Sequence, residues 1–293
     1  MPYSERQIIQ KIDDCPKLPS LKSLNENLSS LLSSDQSLTY QIAEVIRRDP
    51  SLSARILQLV NSVFFGLSRR VSSLEDAIFY MGLRQIKELA LATPIIEDLS
   101  KIDKGFQLVD WRRMWQHSIG TAIMAREISG AASLNYSNDV DYMSGLLHNV
   151  GKIIMARAFP GEFSRVCSTD FSSLSEMCAF EEKEIGWDYS KIGAYYLSEH
   201  GLSREITDAI ACHNNPNSGG DSAPLGAVIQ VSREMVQSIG VRYLNNLGSV
   251  RREQWDHCSG WVLLFGDSVS TDLGVASLKH SLSRLPAILN GML

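Results

Sequence analysis

Three of the six histidines, His117, His148 and His213, could converge on one point and act together as metal ligands. They fall on three separate predicted helices, and Asn149 and Lys152 follow His148 within an apolar helical run. Helical bundles commonly build metal sites from side chains that project inward from facing helices. The pattern is therefore compatible with one pocket that all three histidines share.

The carboxylates that a catalytic metal would need are harder to find. A divalent ion that activates water usually has a carboxylate ligand besides its histidine nitrogens. The residue after His148 is Asn149, whose neutral amide oxygen is a weaker ligand. The helix predicted over 225–239 has one acid, Glu234, and it does not face inward. The carboxylates that folding could still bring to His148 are Asp141, Glu181 and Glu199.

Each candidate also has a purely structural explanation. A single histidine on an apolar helix face, such as His117 or His148, is more often a hydrogen-bonded core residue than a ligand. Cys212 and His213 end a predicted helix, and we favour a surface helix terminus there over a soft metal pair. Lys152 is either a phosphate-facing cation or a solvated helix charge, and the sequence favours neither.

The elements that must position these residues are helices, because apolar residues recur at helical spacing in almost every segment. No group of alternating segments joined by hairpin turns indicates a sheet. We therefore predict an all-α multi-helix bundle of roughly a dozen helices. Its parts are an N-terminal helical lobe (1–108), a packed second helical lobe with the histidines (109–240) and a C-terminal helical extension (241–293).

Several helix boundaries can be predicted from local signals. Ser72 and Glu75 have the spacing of a capping box, and Gly82 is expected to end the helix that it starts. Asn138 is expected to cap one continuous helix over 139–159, which would carry His148. Further helices are predicted over 50–61, over 84–99 with a break at Pro94, 111–129, 172–185, 189–200, 203–213 and 225–239.

Composition narrows the functional classes. At 293 residues and 44% hydrophobic, the chain can bury a large core, and its net charge of −5 gives no overall basic surface for nucleic acid. The four arginine doublets are more readily explained as solvated faces. Five cysteines without a C-x-x-C pair favour a reduced, cytoplasmic protein. No apolar run approaches the roughly 18–20 residues that span a bilayer.

The motifs of the first half resemble a known family. They are Leu18-Pro19-Ser20-Leu21, then 45–57 (VIRRDPSLSARIL), 61–66 (NSVFFG), 71–78 (VSSLEDAI) and 81–83 (MGL). Together they are similar to the HDOD domain. The order of His117, His148, Lys152 and His213 is similar to that of the HD superfamily of metal-dependent phosphohydrolases. The resemblance covers roughly residues 15 to 240.

The resemblance implies an all-helical bacterial regulatory module that generally lacks the full ligand set of HD hydrolases. Asn149 stands where the HD pair has its aspartate, and Ser232 (or Val231) stands where a late aspartate would be. We therefore expect a non-enzymatic signal-transduction protein with no cofactor or metal. It would act on signalling proteins in trans, or sense a small ligand in a degenerate HD pocket.

The residues expected to line that pocket are His117, His148, Asn149, Lys152 and His213. Because such a pocket keeps nitrogen donors and a cation, an anion such as a nucleotide phosphate is expected to bind better than a bare metal ion. The alternative is a metal-dependent phosphohydrolase acting on a nucleotide or cyclic nucleotide. A nucleic-acid regulator would require the arginine doublets to form one patch. The tail after residue 240 either caps the bundle or forms a homodimer interface.

Overall fold

A computed structural model describes residues 2–15, 39–47, 70–82, 109–136, 140–241, 255–266 and 272–292, and the single positions 53, 56, 57, 60 and 86. In chain order its α-helices are α1 (Glu5–Asp13), α2 (Thr39–Arg47), α3 (Leu74–Met81), α4 (Trp111–Ala131), α5 (Val140–Leu147), α6 (Val150–Ala158), α7 (Pro160–Ser168), α8 (Leu174–Glu184), α9 (Tyr189–Glu199), α10 (Arg204–Cys212), α11 (Ala223–Ser238), α12 (Ser259–Phe265) and α13 (Asp272–Met292). Short 3-10 turns cover Pro216–Ser218, Gly220–Ser222 and Trp255–His257. The predicted all-α fold is confirmed.

The chain divides into two compact units. One unit contains Met1–Lys17 and Ile102–Leu282, and it therefore holds α1, α4 to α12 and the first part of α13. The other contains Leu18–Lys101 and Ser283–Leu293, with α2 and α3. The lobe boundaries predicted at residues 108 and 240 stay a prediction. No helix in the described ranges is both long enough and apolar enough to cross a membrane.

The first unit is organised around α4, which packs against α5 and α11. Asp110 caps this helix by accepting the amide hydrogen of Arg113 at 3.0 Å. Its inward face is apolar and buried, as Met114, Ala122 and Ile128 show with no exposed surface. A second layer is formed by α9, which packs against α6 and α10. These contacts bring the elements that carry the three histidines into one core.

The single helix predicted over 139–159 is wrong, because the chain forms two helices, α5 and α6, separated at His148 and Asn149. His148 Nδ1 lies 2.7 Å from the carbonyl oxygen of Gly145, a group that would otherwise accept within the helix. Asn149 has φ −95° and ψ 0°, the bridge conformation found at turns and in many active sites. A side chain that bonds to its own helix thus ends α5, which hydrophobic periodicity does not reveal.

Other boundaries were predicted with mixed success. The capping box at Ser72 is wrong by one residue, since Ser73 accepts the amide hydrogen of Asp76 at 3.0 Å. Gly82 does end α3, with φ +79°, and Ser173 caps α8. The helix α7, which begins at Pro160, was not predicted. The helices predicted over 50–61 and 84–99 lie outside the described residues, apart from the single positions noted above.

A close approach of two helices fixes the position of the chain next to His148. A Cβ atom on Gly151 would overlap the carbonyl oxygen of Tyr189 and would lie 2.8 Å from the amide nitrogen of Gly193. Only glycine allows α6 and α9 to pack this closely. Glycine at this position therefore places Lys152, the next residue, beside the aromatic ring of Tyr189.

Candidate functional site

The three histidines predicted from the sequence meet in the core of the first unit. His117 lies in α4, His148 follows α5, and His213 follows α10 at its C-terminal end. The ring centroid of His148 is 5.6 Å from that of His117 and 5.5 Å from that of His213. All three side chains have no solvent-exposed surface. We call this group of three residues the histidine cluster.

Backbone carbonyl groups determine which ring nitrogen carries the proton. His117 Nδ1 lies 3.0 Å from the oxygen of Val241, and His213 Nδ1 lies 2.6 Å from the oxygen of Ile210. His148 Nδ1 has the equivalent contact with its own helix. A carbonyl oxygen can only accept a hydrogen bond, so each Nδ1 must be the donor. In the neutral ring, each Nε2 then carries the lone pair, which is the arrangement that a metal-binding histidine needs.

The histidines are neutral over the physiological pH range. Burial lowers the pKa of His117 to about 3, with smaller contributions from the charges of Arg233 and Lys152. Burial likewise lowers the pKa of His213 to about 3, with Arg233 as the next cause. The pKa of His148 is also well below its ordinary value, through burial and then through His213, His117 and Arg233. The charged groups that act on the cluster are therefore basic.

A polar network joins the third histidine to a buried arginine. The Tyr189 hydroxyl lies 2.9 Å from His213 Nε2 and 3.0 Å from Asn214 Oδ1. Asn214 Oδ1 also accepts from Arg233 Nη1 at 2.9 Å, and Arg233 Nη2 pairs with Glu234 at 2.5 Å. The Arg233 side chain is only 4% exposed. Neither Arg233 nor Tyr189 was singled out from the sequence.

Lys152 is buried and has an anionic partner, so the prediction of a solvated helix charge is wrong. Its Nζ lies 3.6 Å from Glu181 Oε1 and 3.7 Å from the ring centroid of Tyr189. Its side chain is 2% exposed, and that of Glu181 is fully buried. Burial raises the pKa of Glu181, while the charge of Lys152 and the amide hydrogen of Tyr189 act in the opposite direction. The sequence had offered Glu181 as a carboxylate for His148, but its partner is Lys152.

The remaining predicted positions are also buried. Asn149 is 1% exposed, and Ser232 is buried with its hydroxyl donating to the carbonyl oxygen of Val228 at 2.6 Å. The surface helix terminus that we favoured for Cys212 and His213 is wrong. Cys212 is 8% exposed and His213 is not exposed at all, because α11 and the turn before it cover the end of α10.

These residues do not fit a catalytic metal ion. In the ranges that the structure describes, no group of three histidine, cysteine or acidic side chains has the geometry to hold one. Asn149 and Ser232 supply no negative charge, and the carboxylate of Glu181 is already paired with Lys152. The charge of Arg233 disfavours a second cation beside the histidines.

The sequence signals for the unpredicted members of this network were weak but present. Arg233 lies between Val231 and Met235, but its immediate neighbours Ser232 and Glu234 are polar, so the sequence indicates its burial only weakly. Tyr189 follows Asp188, which caps α9 by accepting the amide hydrogen of Lys191 at 2.9 Å. A cap at Asp188 predicts where α9 begins. It does not predict that the tyrosine hydroxyl reaches His213, at the end of the next helix.

Comparison with known proteins gives one family. The family model described as the HDOD domain matches residues 18–216. A protein of Treponema pallidum (strain Nichols) without a described function is 28% identical over 140 residues, which are 48% of this chain. The match covers 26% of that protein, so this chain spans about a quarter of the length of the curated relative.

Solved structures show the same fold. An HDOD domain protein of unknown function from Geobacter sulfurreducens is 22% identical, with a TM-score of 0.77 over 98% of this chain and 97% of the other. A protein from Shewanella amazonensis SB2B, named as a candidate phosphohydrolase, is 21% identical, with a TM-score of 0.70 over 98% and 96%. A candidate signal transduction protein from Marinobacter aquaeolei VT8 is 20% identical, with a TM-score of 0.66 over 98% and 65%.

Proposed function

The chain belongs to the HDOD domain family, and we propose that it is a non-enzymatic signal-transduction module of the bacterial cytoplasm that acts on partner proteins in trans. The observation that carries the proposal is the chemistry of the histidine cluster. Its three imidazoles are neutral, the charged side chains that lower their pKa values are Arg233 and Lys152, and Asn149 and Ser232 have no negative charge to offer a metal ion.

Two features support a structural role for this centre within a regulatory protein. The cluster has no exposed surface, so a substrate would have to open the core to reach it. Its polar groups are tied to helix ends by short hydrogen bonds, as the contacts of His148 and His213 with carbonyl groups illustrate. Buried hydrogen bonds of this kind favour one arrangement of the surrounding helices. A rigid helical body is a suitable platform for protein contacts.

Small-ligand sensing at the same centre is a second candidate, and one observation favours it. His148 Nε2 and Arg233 Nε are buried, and neither has a hydrogen-bond partner among the described residues. A ligand there would need one group that donates to the imidazole and one that accepts from the guanidinium. Lys152 is less available to an anion than the sequence suggested, because Glu181 already balances its charge.

The test of the main proposal compares the wild-type protein with His148→Ala. Hydrolysis of a generic phosphodiester and of nucleotides would be measured after incubation with Mg²⁺, Mn²⁺ and Fe²⁺. We expect no turnover above that of the variant. Turnover that disappears in His148→Ala would contradict the proposal and support the phosphohydrolase.

The regulatory side of the proposal needs a separate measurement. In-cell cross-linking in the native host is expected to recover signalling proteins with the wild-type chain, and equally with His148→Ala if that variant stays folded. Isothermal titration with nucleotides, cyclic dinucleotides and divalent metals tests the sensing alternative. Saturable nucleotide binding that needs Arg233 would favour sensing over protein contacts alone.

A further inference from the structure

The third histidine of the cluster already has a partner at the nitrogen that a metal would use. His213 donates through Nδ1 to the carbonyl oxygen of Ile210, so its neutral ring presents a lone pair at Nε2. The Tyr189 hydroxyl lies 2.9 Å from that nitrogen. A hydroxyl at this distance takes the lone pair by hydrogen bonding and occupies the direction from which an ion would approach.

The single hydroxyl proton of Tyr189 has two acceptors within reach, His213 Nε2 and Asn214 Oδ1. Asn214 Oδ1 also accepts from Arg233 at 2.9 Å. His213 Nε2 has no donor other than Tyr189 in the described ranges that is close enough to bond it. We therefore assign the proton to the Tyr189–His213 hydrogen bond, with Asn214 satisfied by the guanidinium.

Arg233 is the second residue that opposes metal binding at the histidine cluster. Its Nη1 donates to Asn214 Oδ1 at 2.9 Å, and the Tyr189 hydroxyl that contacts His213 lies 3.0 Å from the same oxygen, so Asn214 and Tyr189 link the guanidinium to the cluster. A buried positive charge at this place disfavours a second cation bound to the histidine nitrogens. Asn214 and Glu234 hold the guanidinium in a buried position, where a charge is poorly screened.

We propose that Tyr189 and Arg233 are the residues that exclude metal ions from the histidine cluster. The Tyr189 hydroxyl takes the His213 lone pair, and the Arg233 guanidinium supplies the positive charge that a bound ion would otherwise bring. Without carboxylates at Asn149 and Ser232 the affinity of the histidines for a metal ion is low, and Tyr189 and Arg233 prevent the binding that remains. The inference concerns the same centre as the proposed function and rests on it only in treating that centre as one without a metal.

The substitutions that test it can be made small. Tyr189→Phe removes the hydroxyl and keeps the ring that lies 3.7 Å from Lys152 Nζ. Arg233→Met removes the charge and keeps most of the buried volume, while Arg233→Lys keeps the charge. Tyr195→Phe is the matched control, because the Tyr195 hydroxyl bonds Asp13 in an exposed contact outside the cluster.

The measurement is a titration of each purified protein with Co²⁺, followed by visible absorption and by the metal content after dialysis. We expect little uptake by the wild type, by Tyr195→Phe and by Arg233→Lys. Tyr189→Phe and Arg233→Met should each bind Co²⁺ more tightly, by about 10–100-fold, the range seen when residues around metal ligands are changed. The double variant should bind most tightly, and adding His148→Ala should abolish the gain.

Two results would overturn the proposal. One is histidine-dependent Co²⁺ binding by the wild type as tight as in the double variant. The other is a folded Tyr189→Phe protein, verified by its thermal unfolding transition, with unchanged Co²⁺ affinity. Phosphodiester hydrolysis measured on the same samples keeps the two proposals apart. Tight Co²⁺ binding by the wild type without turnover contradicts only this inference, whereas turnover by the wild type contradicts the proposed function.

Discussion

Each of the two units has an ion pair between a basic residue and a glutamate, and the two pairs differ in solvent exposure. In the second unit, Arg47 and Glu75 join α2 to α3 at 2.6 Å, with side chains 47% and 36% exposed. In the first unit, Lys152 and Glu181 lie 3.6 Å apart, with side chains 2% and 0% exposed. Exposed ion pairs contribute little because water and salt screen them. A buried pair cannot lose one member without leaving a charge out of water.

Burial, and not the distance between the charges, decides which of these two ion pairs matters more for stability. The surface pair is the shorter of the two and the less important. The buried pair lies beside Tyr189, whose backbone amide donates to Glu181 Oε2 at 2.9 Å and whose hydroxyl contacts His213. A disturbance of the pair would therefore extend to the histidine cluster through one residue.

The largest effect is expected from breaking the buried pair. Glu181→Gln keeps an oxygen for the Tyr189 amide but leaves Lys152 charged and unpaired, which should lower the free energy of unfolding by about 3–5 kcal/mol. Adding Lys152→Met should restore most of the loss, because the buried charge is then removed. Urea unfolding of both variants measures this. A single variant as stable as the double would contradict the comparison.

The close contact between α6 and α9 is the next most sensitive point. Gly151→Ala places a methyl group against the carbonyl oxygen of Tyr189, so the helices must separate, at a cost of about 3 kcal/mol. Gly161→Ala is the matched control, because it lies in α7 with open space around it and only the end of the Arg165 side chain 3.9 Å away. That change should be neutral or stabilising, since alanine favours the helix by about 1 kcal/mol. Thermal unfolding of both variants distinguishes steric overlap from a general intolerance of substitution.

Acid should destabilise the protein through the histidine cluster. The pKa of His117 falls from about 6.5 in the unfolded chain to about 3 in the folded protein. The unfolded state therefore binds more protons below pH 6.5, and stability present above that pH is lost as the pH falls towards 3. His117→Asn should reduce the slope of stability against pH by about 1.4 kcal/mol per pH unit near pH 5. His257→Asn, on a side chain 79% exposed, is the control.

The raised pKa of Glu181 acts in the opposite sense, because a carboxyl that holds its proton more tightly in the folded state gains stability as the pH falls. For that reason the informative quantity is the slope of the free energy of unfolding against pH, compared between the wild type and His117→Asn by urea unfolding at several pH values. Equal slopes for the two proteins would mean that His117 takes up its proton while the protein remains folded.

The smallest effect is expected at the surface. Glu75→Gln removes the partner of Arg47 between α2 and α3, and the thermal unfolding midpoint should remain that of the wild type within experimental error. Repeating the comparison at low and high salt sharpens it, since any contribution from an exposed pair should disappear as salt is added. A loss comparable to that of Glu181→Gln would show that burial does not separate the two regions.

The sequence by itself determined the fold class, because apolar residues at helical spacing can be buried only by packing helices against one another. A local signal also determined the end of α3 at Gly82. Motif order predicted that His117, His148 and His213 share one pocket, and the family resemblance predicted that Asn149 and Ser232 (or Val231) stand where a hydrolase has its acids. The helix predictions depend on residue type and on neighbours within about one helical turn, whereas the histidine prediction depends on the order of motifs along the chain.

Only the tertiary structure decided what those residues do. The break between α5 and α6 depends on the His148 side chain, which bonds the carbonyl oxygen of Gly145 in place of a backbone amide. The spacing of apolar residues does not show this bond. The pairing of Lys152 with Glu181, and of Tyr189 with His213, joins residues 29 and 24 positions apart. Burial is the main cause of the raised pKa of Glu181 and of the lowered pKa of His213. Burial is a property of the packed core, because it depends on which helices cover a residue and not on the residue itself.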